Sequence, residues 1–191
     1  MKQLSILIPT LPQRLGDYSN IMFNLKNQID SFGLNDSVQI LSLLDTKEMS
    51  VGKKRNYLIQ MSCGKYVHFI DDDDRIAPDF VKKIYDATLS DADVITFNGE
   101  YYDAGIFHSN FIISTLVMQD INTNGIMYRK PNHLCPVKRE IATQCIFPDK
   151  NYGEDSDYAN QINKIIQTEN HIEEKLYFYM FNVNTSQTHN R

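Results

Sequence analysis

Apolar positions along the chain fall into alternating strand-like runs and helix-like periods. Leu4 to Ile8 is a short apolar run that meets Pro9 and Thr10, which predicts a buried strand ending at Ile8. Leu15, Tyr18, Ile21, Met22, Leu25 and Ile29 repeat at helical spacing, and Gly33 supplies the stop. A second strand is predicted from Val38 to Leu44, ending at Asp45. Ser50 is placed to cap a helix running to about Met61, with Val51, Leu58 and Met61 as its apolar face and Cys63-Gly64 closing it. Tyr66 to Ile70 forms a third strand that runs into Asp71, Asp72, Asp73 and Asp74. Pro78 suits a first helical position, and Phe80, Val81, Ile84, Tyr85, Thr88 and Leu89 then mark a helix packed on a sheet. Val94 to Phe97 reads as a fourth strand. Four strands alternating with three helices predict an α/β domain with a mainly parallel sheet covered by helices. Beyond residue 100 the pattern is less regular. It suggests antiparallel strands near Phe107 to Val117 and Gly125 to Arg129, and a loop from Pro131 to Asp155. A helix with Tyr158, Ile162, Ile165 and Ile166 follows, then an aromatic strand from Leu176 to Val183.

The 191 residues fit one domain rather than two, since roughly 150 residues is a typical unit. With 42% hydrophobic and 23% charged residues, disorder, collagen and coiled coil are excluded. The net charge of -5 repels a phosphate backbone, so nucleic acid would need a local basic patch. Cys63, Cys135 and Cys145 are odd in number and form no CxxC pair, which favours a reducing cytoplasm over a disulfide framework or zinc ribbon. No segment reads as a signal peptide or a membrane span, so the expected location is cytoplasmic, or the host cytoplasm if the gene is carried by a phage.

In open α/β sheets, ligands bind beyond the carboxyl ends of the strands. Pro9, Thr10 and Arg14 follow the first strand, Asp45 the second, and Asp71 to Asp74 the third. Four successive acids at a buried strand end repel one another, and a divalent cation is the expected compensation. In extended backbone, Asp71 and Asp73 would point the same way, as Mg²⁺ or Mn²⁺ shared with substrate phosphates requires. An EF-hand is excluded, because its glycine and glutamate positions fall on Ile76 and Lys82. In SVGKKRN, Lys53, Lys54, Arg55 and Asn56 stand near a helix start, where the first-turn amides and the adjacent cations together are candidates to hold a diphosphate, the alternative being a solvated basic helix face. Glu154-Asp155 precedes the late helix, where acids alone could be explained by the helix dipole. The signatures GxGxxG, GxxxxGK and GxSxG are missing, and His133-Leu-Cys135 lacks the remainder of a zinc deaminase motif.

The succession SILIPT, a strand ending in Asp45, GKKRN, GKYVHFIDDDD with a following proline, and YGED resembles the family 2 glycosyltransferases of GT-A fold. RKPNHLCPVKREIA and FPDKNYGEDSDYA are similar to small glycosyltransferases of bacteriophage and bacterial genomes. The resemblance implies a single Rossmann-like GT-A domain over residues 1–191. Residues 1–99 would form a nucleotide-sugar-binding half, and residues 100–191 a small, antiparallel and loop-rich acceptor half. It implies a metal-dependent, inverting transfer of a sugar from a nucleotide diphospho-sugar, UDP-linked, to a hydroxyl acceptor. Pro9, Thr10 and Asp45 would hold the base, while Arg14, Lys53 and Arg55 would approach ribose or phosphates. Asp73 would bind Mn²⁺ or Mg²⁺, with Asp71 supporting the metal or ribose, Asp72 nearby, and His189 as a further metal ligand. Asp155 would be the catalytic base, and Glu154 would orient it or the acceptor. Thr46 and Lys47 replace the family's usual second acid and serine, which bears on base selectivity.

The acceptor stays open: a hydroxymethylated pyrimidine in phage DNA, for which Arg129, Lys130, Lys138 and Arg139 offer a basic stretch, or a saccharide, lipid-linked or protein hydroxyl. The competing readings are a nucleotidyltransferase, which would normally carry a glycine-rich loop near the first strand, and a non-catalytic sugar- or nucleotide-binding module, which would not need Glu154-Asp155.

Overall fold

The computed structural model describes residues 2–182. The chain runs β1 (Lys2–Thr10), α1 (Leu15–Ser31), β2 (Val38–Leu44), α2 (Val51–Met61), β3 (Gly64–Phe69), β4 (Arg75–Ile76), α3 (Phe80–Thr88) and β5 (Val94–Asp103). It continues through β6 (Ile106–Ile113), β7 (Ile121–Thr123), β8 (Ile126–Arg129), β9 (Val137–Lys138), α4 (Arg139–Ala142), α5 (Glu154–Ile162) and β10 (Glu169–Phe181).

One mixed sheet organises these elements in the order β2-β1-β3-β9-β5-β6-β8-β7, with β10 alongside β5 and β4 against β10. The pairs β1·β2 and β1·β3 are parallel. The two-residue β9 pairs antiparallel with both β3 and β5, so β5 keeps the direction of the first three strands while standing one strand away from them. The expected parallel α/β half is therefore present, with an inserted antiparallel strand from the later half. Leu4, Ile6, Ile8, Tyr66, Phe80, Phe97 and Tyr177 are fully buried in the core between sheet and helices.

Several elements depart from expectation for identifiable reasons. β1 continues through Pro9 to Thr10, because pairing with β3 ends at Leu7↔Phe69 and a proline beyond that point removes no ladder bond to β3. On α1, Ile21, Leu25 and Ile29 are buried, but Leu15 is 46% exposed at the helix start. Ser50 does cap α2, accepting from the Lys53 N–H, yet the buried face of α2 is Gly52, Lys54, Arg55, Leu58 and Ile59, and Met61 is exposed. Gly64 opens β3 instead of ending α2. A Cβ there would stand 2.5 Å from the Ser5 N and 2.7 Å from the Leu4 carbonyl carbon, so only glycine lets β3 approach β1. Pro78 lies ahead of α3 in the turn before Phe80.

In the later half, β6 is antiparallel to β5 but parallel to β8, where mutual antiparallel pairing was expected. β7 is the strand that folds back antiparallel on β8. The segment expected to be loop contributes β9 and α4, and Ile165 and Ile166 lie beyond the end of α5. The aromatic strand is longer than its Leu176 to Val183 reading, since β10 begins at Glu169 and pairs parallel with β5. Val183 is outside the described residues. Among the described residues, no helix is long and apolar enough to cross a membrane.

A buried amide joins α1 to α3. Gln28 Nε2 donates to the Ala77 carbonyl at 2.9 Å, and Gln28 Oε1 accepts at 2.9 Å from the Val81 N–H, one of the first-turn amides with no partner inside its own helix. Gln28→Leu fills the same space but leaves both groups dry. Urea unfolding should show a loss of about 2–4 kcal/mol with an unchanged slope; stability equal to the parent would mean that the clamp contributes nothing.

Candidate functional site

The C-terminal ends of β1, β2 and β3 lie side by side, so their polar residues form one edge. Asp71 to Asp74 occupy a turn, in which the Asp74 N–H donates to the Asp71 carbonyl at 3.3 Å. The extended spacing expected of Asp71 and Asp73 is therefore not what the structure shows: Asp72 and Asp73 meet at Arg14 Nη1, while Asp71 and Asp74 turn to other partners. Asp72 turns inward, accepting from the Thr10 hydroxyl at 2.7 Å and from Arg14 Nη1 at 2.8 Å. Asp71 accepts from Arg55 Nη2 at 3.0 Å, with His133 Nε2 at 3.4 Å from its second oxygen. Asp74 points back toward β10, accepting from the Tyr177 hydroxyl at 2.6 Å and the Met180 N–H at 2.7 Å. Asp73 faces Arg14 Nη1 at 3.0 Å and lines the cleft.

These environments set the charges. Burial works against ionisation of Asp71, but Arg55 and His133 outweigh it and hold the carboxyl well below its usual range. Burial raises Asp72 despite Arg14 and Thr10. Asp73 is pushed up to about 6 by burial, with Asp71 and Asp72 adding to the rise and Arg14 opposing it. Asp74 is raised well above the ordinary value by burial and by the charges of Asp71 and Asp73. The repulsion inferred from sequence is real, but protein groups answer most of it. Among the described residues, no group of three His, Cys, Asp or Glu side chains is placed to hold a metal ion.

GKKRN folds so that each residue has a separate task. Gly52 lies under the Pro148 carbonyl, where a Cβ would overlap its oxygen. Lys53 is exposed and does not line the cleft. Lys54 is 2% exposed, paired with Asp45 and donating to the Thr10 carbonyl at 3.0 Å. Arg55, 4% exposed, donates to Glu154 Oε1 at 2.8 Å as well as to Asp71. Its guanidinium lies 5.7 Å from the Phe69 ring centroid and 5.4 Å from that of Phe147. Asn56 clamps the backbone of Phe147 from both sides, donating to its carbonyl at 2.8 Å and accepting from its N–H at 3.0 Å. The first amides of α2, offered by the sequence as a phosphate cradle, are already engaged: Val51 by the Asn151 side chain, Gly52 by the Lys150 carbonyl and Lys53 by Ser50.

The remaining expected residues fall around this frame. Pro9 is half-buried, while Thr10 and Asp45 are buried behind the cleft wall. Burial opposes the charge on Asp45, yet Lys54 and the Met49 N–H hold its carboxyl below the usual range. Glu154 and Asp155 occupy the first turn of α5, whose N-cap Gly153 has φ 72. Glu154 is buried on Arg55, with burial raising its carboxyl against that partner. Asp155 is 41% exposed, and His133 Nδ1 lies 3.8 Å from its Oδ2. His189 lies outside the described residues. The basic stretch does not form one patch: Lys138 pairs with Asp91 and Asp93, Arg139 reaches Ser62, and Arg129 lines the cleft.

Arg14, Arg55, Asp71, Asp73, Glu154 and Asp155 thus meet in one cleft of about 780 Å³, whose lining also includes Tyr101 and Tyr179. These tyrosines, and Tyr177 behind the acids, were not singled out from sequence. They come from the long β5·β10 pairing, for which the sequence carries only an aromatic run. The buried places of Lys54 and Arg55 did have a signal, because each precedes a core residue, Leu58 and Ile59, by one helical turn.

The match to known proteins agrees with this architecture. The family model described as "Glycosyl transferase family 2" matches residues 37–146. Among solved structures, residues 1–349 of TarS from S. aureus superpose with a TM-score of 0.65 at 14% identity, covering 93% of this chain and 60% of that one. The complex of the same TarS fragment with UDP-GlcNAc gives a TM-score of 0.66 at 14% identity, covering 94% of this chain and 58% of the other. Its complex with UDP gives 0.66 at 14% identity, with 94% and 60% covered. The chain thus spans about 60% of the length of these TarS structures, and at such identity the likeness is one of fold. No curated protein matches the sequence significantly. With more than half of its residues in the family match, and with the mixed α/β sheet of a GT-A domain, the chain belongs to glycosyltransferase family 2.

Proposed function

We propose that the protein is an inverting glycosyltransferase that moves a sugar from a UDP-linked donor to a hydroxyl acceptor. The observation that carries this reading is the convergence of Asp73, Arg14 and Asp155, from three separate segments, on one cleft at the carboxyl ends of β1 and β3. TarS binds UDP-GlcNAc and UDP in the corresponding fold, which supports a nucleotide-sugar donor. The base would lie near the half-buried Pro9, with the buried Asp45–Lys54 pair supporting the wall behind it, and the diphosphate near Arg14.

In this reading, Asp155 accepts the proton of the acceptor hydroxyl while that oxygen bonds to the anomeric carbon. The carbon–oxygen bond to the diphosphate breaks on the opposite face, its electron pair leaves with the nucleotide, and the configuration inverts. Arg14 gives counter-charge to the departing diphosphate. Glu154 is a positioning residue: tied to Arg55, it fixes the first turn of α5 and with it the neighbouring Asp155.

The donor set fits a divalent cation in a limited way. Asp73 keeps one cleft-facing carboxylate, which burial, with Asp71 and Asp72 adding to it, pushes up to about 6 despite Arg14 at 3.0 Å. Asp73 would hold Mn²⁺ or Mg²⁺ together with the donor's diphosphate, and such an ion supplies counter-charge as the nucleotide leaves. Asp71 is committed to Arg55 and His133 and would support the site from behind.

Incubation with Mn²⁺ and a panel of nucleotide sugars, with and without saccharide or hydroxymethylated-DNA acceptors, should give acceptor-stimulated release of UDP. Asp155→Asn should retain donor binding by calorimetry and lose about 10²- to 10⁴-fold in transfer; near-parental turnover would remove Asp155 from its role. Asp73→Asn makes a separate expectation about the protein without metal. Since the Asp73 pKa rises from 3.8 to about 6 on folding, its ionised form destabilises the native state increasingly as pH climbs through that window. The variant should therefore be more stable than the parent by about 1–3 kcal/mol at pH 8, the gain fading below about pH 4. A variant that is less stable at pH 8 would contradict the charge assignment.

A further inference from the structure

The acceptor side of the cleft contains a cation with unusual company. Arg14 and Arg55 both form ion pairs with carboxylates. Arg129, at the end of β8, makes its hydrogen bonds to uncharged groups: Nη1 donates to the Tyr128 carbonyl at 2.9 Å and the Ile121 carbonyl at 3.3 Å, and Nη2 to Asn122 Oδ1 at 2.7 Å. Three of its five N–H groups are thereby used and the guanidinium is held in place. The Nε–H and one Nη2–H remain without a partner among the described residues, and these atoms form the edge that grips paired anionic oxygens. Such a group, lining a cleft otherwise rich in acids, attracts an anion brought by a ligand.

The β5·β10 part of the same cleft indicates what bears that anion. Tyr101 and Tyr179 stack at 5.6 Å between centroids with 22° between planes, and both line the cleft. A stacked aromatic pair presents a flat, electron-rich face suited to the C–H face of a sugar ring. Asn132, Asn151 and Ser156 add neutral hydrogen-bonding groups around Asp155. A nucleic acid fits less well, because it needs several cations along one face, whereas Lys138 is paired with Asp91 and Asp93 and neither it nor Arg139 lines the cleft.

Resting on the glycosyltransferase reading, we propose that the acceptor is an acidic saccharide whose carboxylate or phosphate is gripped by Arg129 while a sugar ring lies against Tyr101 and Tyr179. The test uses the full chain with its UDP-sugar donor and four acceptors: a neutral disaccharide, a uronate-containing disaccharide, a sugar phosphate and hydroxymethylated duplex DNA. An acidic saccharide should be used at lower KM than the neutral one, and the uronate and phosphate arms tell which anion is preferred. Arg129→Gln should raise KM for the acidic acceptor by about 10- to 100-fold. Its donor Kd should stay as in the parent, and Arg129→Lys, which keeps the charge without the fork, should fall between.

Equal use of neutral and acidic saccharides would overturn the proposal, as would preferred, steeply salt-dependent use of DNA. An equal rise in both KM values in Arg129→Gln would mean that loosening of β7 explains the effect, and weakened donor binding would assign Arg129 to the donor; either result sinks the idea. Failure of the parent to bind any nucleotide sugar, seen without acceptor, would instead remove the glycosyltransferase reading and this proposal with it.

Discussion

The site is organised by one buried cation. Arg55 lies over the edge-on pair of rings Phe69 and Phe147 and bridges Asp71, just after β3, to Glu154, which lies 99 residues after Arg55 at the start of α5. Burying a guanidinium without partners would cost several kcal/mol, and the same is true of either carboxylate alone. Each of the three charges is tolerable only because the others are present. The bridge therefore fixes the position of α5 relative to the strand edge. Phe147 is in turn stacked on Tyr158 of α5 at 3.9 Å and held by Asn56 of α2, so the packing around the cation is as constrained as the cation itself.

Around that bridge, the acidic turn shows a division of labour. Three aspartates have their oxygens engaged by protein groups: Asp71 by Arg55 and His133, Asp72 by Thr10 and Arg14, Asp74 by Tyr177 and the Met180 N–H. These contacts hold the turn in shape, while Asp73 lines the cleft with Arg14 as its one ion-pair partner among the described residues and with burial raising its carboxyl. Functional sites commonly retain electrostatic strain of this kind, because a charge fully satisfied by its own protein has little left for a ligand.

The regular half of the fold was legible because its signals are local. Helical periodicity found α1, Ser50 marked the start of α2, and the strand ends at Asp45 and Asp71 pointed to one edge. What could not be read depends on contacts far apart in sequence. Two residues, Val137 and Lys138, insert between β3 and β5 although nothing in their composition marks a strand. The parallel β6·β8 pairing replaced the expected antiparallel one because the intervening β7 takes the antiparallel place beside β8. At the site, an acidic run after a strand was visible, but its fold into a turn with four different sets of partners was not. Lysine and arginine in GKKRN looked like surface cations because sequence reading expects charge outside, whereas Lys54 and Arg55 are buried by acids from Asp45, Asp71 and Glu154.

The coupling between Arg55 and Glu154 is the most direct measure of whether this bridge holds the site together. Urea unfolding of Arg55→Met, Glu154→Gln and the double variant isolates it. A coupling of about 2 kcal/mol or more is expected, because Arg55→Met strands the buried Glu154 carboxylate and the double change removes that charge, while Asp71 loses Arg55 equally in both Arg55 variants. Effects that add to within about 0.5 kcal/mol would show that the two segments are held by packing alone.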